Sequence, residues 1–352
     1  MIEKLLMKGN EAMAEAAIRC GCRYYFGYPI TPQNELIEYM SKHLEKRGGK
    51  FIQAESELAA VNMAYGASAA GGRVLLSSSS PGIALMQESF SFMCSVELPV
   101  VIINVSRGGP GIGTIQPGQA DYYQATRGGG NGDYHIIVYA PSTIQEAVEI
   151  VSKAFDTSDK LKNPVMILVD GVLGQMMEPV VLPEAAEILR DDPRVLTGHK
   201  NERPRNVFRS VFLDPDELEG RVNSYWGKYE TAKSEYAEFE TCGLSGAELV
   251  FVAYGSTARI VKDAIEMLSS EGIKTGLIRP VTLWPYPVKA FDEIDKTTKY
   301  LVSAELSKGQ MMDDVLIASN GRWPVSLISR IGGVLLSPEE VVRRTKEILR
   351  GE

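Results

Sequence analysis

Apolar residues follow two rhythms through the first half of the chain. Short runs of continuous or alternating apolar character predict strands: RYYFGYP, KFIQAE, RVLLSSSS, PVVIINVS, YHIIVYAP and PVMILVDG. Between them the apolar positions recur at helical spacing. GNEAMAEAAIRCG reads as a helix that Gly21 ends. QNELIEYMSKHLEKRG sets Leu36, Ile37, Met40 and Leu44 on one stripe, STIQEAVEIVSKAFD gives a further helix, and FIQAESELAAVNMAYGASAAGG passes from a strand into a helix of small residues. PVVIINVS is apolar throughout, as a central parallel strand covered on both faces must be. Repeated units of this kind predict an α/β fold: an open parallel sheet with helices on both sides.

The pattern changes after Val181. Scattered prolines and charges and a polar helical run, DPDELEGRVNSYWGKYETAKSEYAEFE, read as a linker with a connecting helix. A second α/β block follows. AELVFVAYGS, IKTGLIRP, KYLVSAEL and PVSLISRIGG predict strands. TARIVKDAIEMLSSEG predicts a helix with its apolar face at Ile260, Val261, Ala264, Ile265 and Leu268, with Thr257 as N-cap. The expected organisation is a first domain over 1–180, a linker over 181–243 and a second domain over 244–352.

Composition narrows the class. The 352 residues are 44% hydrophobic and 23% charged, enough for more than one core. A net charge of −8 with no Lys/Arg block points away from nucleic acid and membrane surfaces. No apolar run approaches the roughly 18 residues of a membrane span. The stretch MIEKLLMKGNEAMAEAAIRCG is too acidic and too helical for a signal peptide, so a cytoplasmic location is expected. Of Cys20, Cys22, Cys94 and Cys242 only the first two are close, and C-x-C alone is a weak metal signal. Without a C-x-x-C-x-x-C run no iron–sulfur cluster is expected here; reduced thiols in a packed interior are.

Several chemistries are excluded by missing motifs. There is no P-loop. GGPGIG sits in a long loop without the ribose-binding acid of a dinucleotide fold. His43, His135 and His199 are far apart and lack zinc-enzyme spacing, so no metal ligands are assigned to this chain. SSSS is not a hydrolase elbow. What remains are loops at the carboxyl ends of strands, where open α/β sheets hold ligands.

Three such loops carry candidate chemistry. In GYPITPQNE, Thr31 could cap a helix that starts at Pro32 or Gln33, or it could meet a ligand. Glu55 and Glu57 stand at a helix start, where the helix dipole stabilises acids by about 0.3–1 kcal/mol. In NVSRGGPGIGTIQPGQAD, Arg107 follows a buried strand and opens a Gly-rich loop. It is either an exposed surface arginine or a carboxylate clamp.

Together and in this order, YPITP, the E-x-E before GASAAG, SSPG, RGGPG, Q-x-D and the later VAYGSTAR…GIKTGLIRPVTLWPYP resemble the alpha subunit of the 2-oxoacid:ferredoxin oxidoreductases, nearest to the branched-chain 2-oxoisovalerate type. The resemblance runs nearly the whole length. It implies a pyrimidine-binding module for thiamine diphosphate followed by a transketolase C-terminal-like α/β domain. The implied reaction is oxidative decarboxylation of a 2-oxo acid with CoA to acyl-CoA, CO2 and reduced ferredoxin.

By the same resemblance Glu57 is the acid that meets N1′ of the aminopyrimidine, with Glu55 its near competitor. Thr31 and Arg107 hold the substrate, and Pro29, Ser79, Ser80 and Gly82 approach the cofactor. A catalytic role for Arg279 or Glu305 is weighed against a structural one. The G-D-G…N diphosphate motif is missing, GNGDYH being the nearest string. The diphosphate and Mg2+ site is therefore expected on a beta subunit. The 4Fe-4S clusters are expected on gamma and ferredoxin-like partners, with ferredoxin as acceptor. The alternatives are a pyruvate- or 2-oxoglutarate-specific member, the beta chain of an NAD-linked 2-oxo acid dehydrogenase, and a non-catalytic assembly subunit.

Overall fold

The computed structural model describes residues 4–186 and 192–351. The chain runs β1 (Leu5–Lys8), α1 (Gly9–Arg19), β2 (Tyr24–Gly27), α2 (Asn34–His43), β3 (Lys50–Gln53), α3 (Glu57–Ala69), β4 (Val74–Ser78), α4 (Ser80–Ser95), β5 (Val101–Ser106), α5 (Tyr122–Arg127), β6 (Ile137–Tyr139), α6 (Ile144–Leu161), β7 (Val165–Asp170), α7 (Gly171–Gln175) and β8 (Met177–Val180). Then follow α8 (Pro215–Glu235), β9 (Phe239–Cys242), β10 (Leu249–Val252), α9 (Gly255–Ser270), β11 (Thr275–Pro280), β12 (Thr282–Trp284), β13 (Tyr300–Glu305), α10 (Gln310–Ser319), β14 (Val325–Ser329) and α11 (Pro338–Arg350).

The first sheet has the order β12-β6-β7-β5-β4-β2-β3, and all its pairings are parallel except β12 with β6. β5 and β7 lie near its centre and are buried at every position, as their apolar runs predict. α1 packs with α2, α6 and α7, whereas α3 packs with α4. The chain leaves β2 toward β3 but leaves β4 toward β5, in the opposite direction. With right-handed crossovers this reversal sends the two helix sets to opposite faces and opens a crevice at the carboxyl ends of β2 and β4.

The second sheet runs β14-β13-β10-β11-β9, with β9 antiparallel at its edge. Side chains on β10 alternate between two cores. Val250 and Val252 join the large core of the first sheet, and Leu249 and Phe251 join a smaller one with Ala258, Val261 and Leu268. The connecting helix α8 contributes Trp226 and Tyr229 to an aromatic cluster in which His135 stacks on Trp284 at 4.1 Å. The described helices include none long and apolar enough to cross a membrane.

Three local expectations are corrected. Helix α2 begins at Asn34, with Gln33 at the cap position and no side-chain cap. One tertiary and one local bond explain this: Gln33 is fully buried with Oε1 accepting from Ser77 Oγ at 2.7 Å, and the Thr31 hydroxyl accepts from Asn34 Nδ2 at 3.2 Å. Thr257 does not cap α9, which starts at Gly255. Its hydroxyl donates to Gln119 Oε1 at 2.9 Å, across the two units. Cys20, Cys22 and Cys94 are buried free thiols, but Cys242 is exposed on the edge strand β9.

Candidate active site at the carboxyl edge

The parallel register brings the strand ends into one row. Gly27 pairs with Gln53 and with Ser77, Ser78 with Asn104, and Ser106 with Asp170. Each candidate loop therefore leaves the sheet at the same edge.

Ser56 caps α3 by accepting the Ala59 N–H at 3.1 Å, which makes Glu57 the first helical residue. Glu57 is 8% exposed, whereas Glu55 is exposed to solvent. Among the described residues no side chain or backbone group bonds or ion-pairs the Glu57 carboxylate. Its neighbour is α4. A Cβ at Gly82 would stand 2.7 Å from Glu57 Oε1 and 2.2 Å from Ser78 Oγ. Only glycine lets the two helices meet there. Ser78 Oγ and Ser79 Oγ are buried without partners, and Ser79 occupies the α4 cap position without capping it. An unpartnered carboxylate beside buried, uncommitted hydroxyls is a donor–acceptor set lacking its complement.

Arg107 is buried, which excludes the exposed reading. Its Nη1 donates to Thr31 O and its Nη2 to Ile112 O, each at 2.9 Å, while the buried Nε has no partner. Thr31 and Arg107 thus meet, through the Thr31 carbonyl. The Gly-rich loop closes on itself: Gly108 N donates to Gln116 O at 2.9 Å and Thr114 N to Gly108 O at 2.8 Å. At Gly113 φ is 61°, and a Cβ would lie 1.8 Å from Gly108 O, so this turn requires glycine. Beside the loop lies a cavity of about 540 Å³ lined by Ser80, Pro81, Ile112, Asp121, Leu306 and Ile331. Pro29 stands apart: it is exposed and borders a different cleft with Asn34, Phe51 and Gln53.

Two buried carboxylates here carry no role assigned from sequence. Burial raises the Asp121 carboxyl above its usual range, against the pull of the hydrogen bonds from Ser80 and Asn104. Burial likewise raises Asp170, which caps α7 and accepts the Ser256 hydroxyl at 2.5 Å. Asp121 stands in the Q-x-D string, but nothing local signals that its side chain turns inward. Arg279 and Glu305 are committed elsewhere. Arg279 pairs with Glu146 at 2.6 Å and Glu240 at 2.8 Å. Glu305 accepts Ser303 Oγ at 2.8 Å and the N–H groups of Met311 and Met312 at 3.0 Å, at the α10 N-terminus.

The family of pyruvate flavodoxin/ferredoxin oxidoreductase thiamine diphosphate-binding domains matches residues 15–237, and the pyruvate:ferredoxin oxidoreductase core domain II matches residues 247–341. The ketoisovalerate oxidoreductase subunit VorB of Methanothermobacter marburgensis is 44% identical over 344 residues, covering 97% of each chain. The chain belongs to the 2-oxoacid:ferredoxin oxidoreductases. The 2-oxoglutarate synthase subunit KorA of Archaeoglobus fulgidus, another relative of this oxidoreductase subunit, is 35% identical over 358 residues and is matched end to end. Among solved structures, the 2-oxoglutarate:ferredoxin oxidoreductase of Magnetococcus marinus superposes with a TM-score of 0.87 at 28% identity. That match covers 98% of this chain and 65% of the Magnetococcus chain. A split-gene transketolase superposes at 0.60 with 16% identity, a likeness of fold alone. As in other members, the expected α/β class with a thiamine diphosphate-binding sheet and a transketolase-like second unit is borne out.

Proposed function

We propose that this oxidoreductase subunit is the alpha chain of a thiamine diphosphate-dependent 2-oxoacid:ferredoxin oxidoreductase that converts 2-oxoisovalerate, with CoA, to the acyl-CoA. The observation that carries the site reading is the unpartnered carboxylate of Glu57, a residue only 8% exposed, against Gly82. The 44% identity to a ketoisovalerate oxidoreductase subunit supports the branched-chain substrate.

The residues present fit an aminopyrimidine. Glu57 offers an acceptor or shared proton for a ring nitrogen, the unpartnered Ser78 and Ser79 hydroxyls offer further bonds, and Gly82 lets Glu57 and Ser78 close up against the first turn of α4. Ser80 instead gives its hydroxyl to Asp121, and Pro29 borders a different cleft. When bound, thiamine diphosphate supplies the nucleophilic carbon and the electron sink for decarboxylation. The chain's own work is placement. Glu57 presents its carboxylate oxygens at the α3 N-terminus for proton exchange with the ring nitrogen. Arg107, fixed by the Thr31 and Ile112 carbonyls, keeps its Nε–H for the substrate carboxylate, a charge-assisted bond. The Thr31 hydroxyl, held by Asn34, lies on the same loop to orient the carbonyl. In this reading a beta subunit holds the diphosphate and Mg2+, for which this chain lacks the motif, and further subunits carry the 4Fe-4S clusters, for which its cysteines lack the spacing.

The test is to purify the co-expressed complex and measure CoA-dependent viologen-dye reduction across 2-oxo acids, with thiamine content by mass spectrometry. Highest kcat/KM with 2-oxoisovalerate and thiamine bound only when the beta chain is present are expected. NAD+ as the acceptor, or an active complex without thiamine, would sink the proposal.

A further inference from the structure

Asp121 occupies the cap position of the short helix α5, yet its side chain does not cap that helix. The carboxylate turns inward and is 7% exposed. Its Oδ2 accepts the Ser80 hydroxyl at 2.6 Å and Asn104 Nδ2 at 2.9 Å. Ser80 Oγ in turn accepts the backbone N–H of Arg107 at 2.9 Å. A hydroxyl has one proton to give. The other acceptor in its reach, Arg107 O, is 3.4 Å away, so the shorter charge-assisted bond to Asp121 takes it. The Ser80 lone pairs are thereby left facing the Arg107 N–H, at the residue where β5 opens into the Gly-rich loop.

The chain on either side of Asp121 is bolted to the second unit. Gln119 N donates to Leu306 O at 3.1 Å, and its Oε1 accepts Leu306 N at 3.0 Å and the Thr257 hydroxyl at 2.9 Å. Gln119 Nε2 donates to Tyr254 O at 3.0 Å. Gln310 Nε2 donates to Ala120 O at 2.8 Å, and the Tyr122 hydroxyl donates to Asp314 Oδ2 at 2.5 Å. A segment tied on both sides cannot move independently of its anchor.

We propose that Asp121 is a positioning residue for the substrate arginine: it fixes the Ser80 hydroxyl, and through it the main chain of Arg107, in a place set by the second α/β unit. This rests on the reading of Arg107 as the carboxylate-binding residue. It gives the second unit a part in substrate capture besides assembly.

The experiment uses the assembled complex and steady-state kinetics with 2-oxoisovalerate. Asp121→Ala and Ser80→Ala should each raise KM about tenfold, the scale of one charge-assisted bond, while kcat stays within about threefold. The double variant should be no worse than either single, because both act through one hydroxyl. Asp121→Asn keeps an oxygen for Ser80 and should restore KM to within about threefold of the parent. Arg279→Met, which loses ion pairs to Glu146 and Glu240 and none to this relay, should melt earlier with KM unchanged. If Asp121→Ala does not assemble, Ser80→Ala and Asp121→Asn decide alone. Additive effects, an unchanged KM in Ser80→Ala, or no rescue by Asp121→Asn overturns the inference. In each of those cases a raised KM in Arg107→Ala leaves the functional reading standing, and an unchanged KM there overturns both.

Discussion

Gly82 lies so close to Glu57 that an added Cβ would stand 2.7 Å from the carboxylate Oε1. The contact joins the start of α3 to the first turn of α4. It predicts that Gly82→Ala displaces the Glu57 carboxylate. A misplacement of about 1 Å can cost on the order of 100-fold in rate, and a loss of that size in kcat is expected with the complex intact by size-exclusion chromatography. Wild-type turnover would remove Gly82 from the site.

Glu57→Gln keeps the shape and removes the exchangeable carboxyl proton. Turnover should fall by about 10²–10⁴, the range of a lost acid–base group, while subunit stoichiometry is unchanged. Glu55→Gln, altering an exposed acid, should leave kcat within about threefold, and the contrast separates the two glutamates.

Arg107→Ala deletes the guanidinium that the Thr31 and Ile112 carbonyls hold. Hydrogen bonds to charged groups are worth about 1.5–3 kcal/mol, so KM for the 2-oxo acid should rise by roughly 10- to 100-fold. An unchanged KM in dye-reduction kinetics would contradict the assignment.

Burial lowers His135 from 6.5 to about 4. The folded state holds it neutral while the unfolded chain binds a proton. Its contribution is fully present above pH 6.5 and is lost as pH falls from 6.5 to about 4. His135→Phe can keep the stack on Trp284 and should flatten the fall in melting temperature over that window. Parallel wild-type and variant curves would rule His135 out as the source.

Arg279 is 1% exposed and bridges α6, through Glu146, to β9, through Glu240. Truncating one side of a buried pair costs about 3–5 kcal/mol, and partly exposed glutamates put Arg279→Met toward the low end. Urea unfolding should show that loss. A catalytic role would instead lower kcat with stability unchanged.

The local pattern by itself determined the α/β class, the central strands β5 and β7, the stripe of α2 and the polar helix α8, because periodicity and apolar runs are written within a few consecutive residues. It also marked the carboxyl-end loops, since Pro, Gly and charged residues interrupt those runs. The short edge strands were not legible in it. β12 lies among second-unit elements in sequence yet pairs with β6, and three residues carry too little pattern to assign a sheet. Nor was the choice between Glu55 and Glu57 fixed by local pattern, since it depends on how α3 meets α4. Thr31 and Thr257 look like caps in isolation, but Ser77 holds Gln33 at the α2 cap position and Gln119 engages the Thr257 hydroxyl. The inward turn of Asp121 likewise depends on Ser80 and Asn104, 41 and 17 residues away. Burial and hydrogen-bond partners come from distant parts of the chain, so they exist only once the sheet has brought its strand ends to one edge.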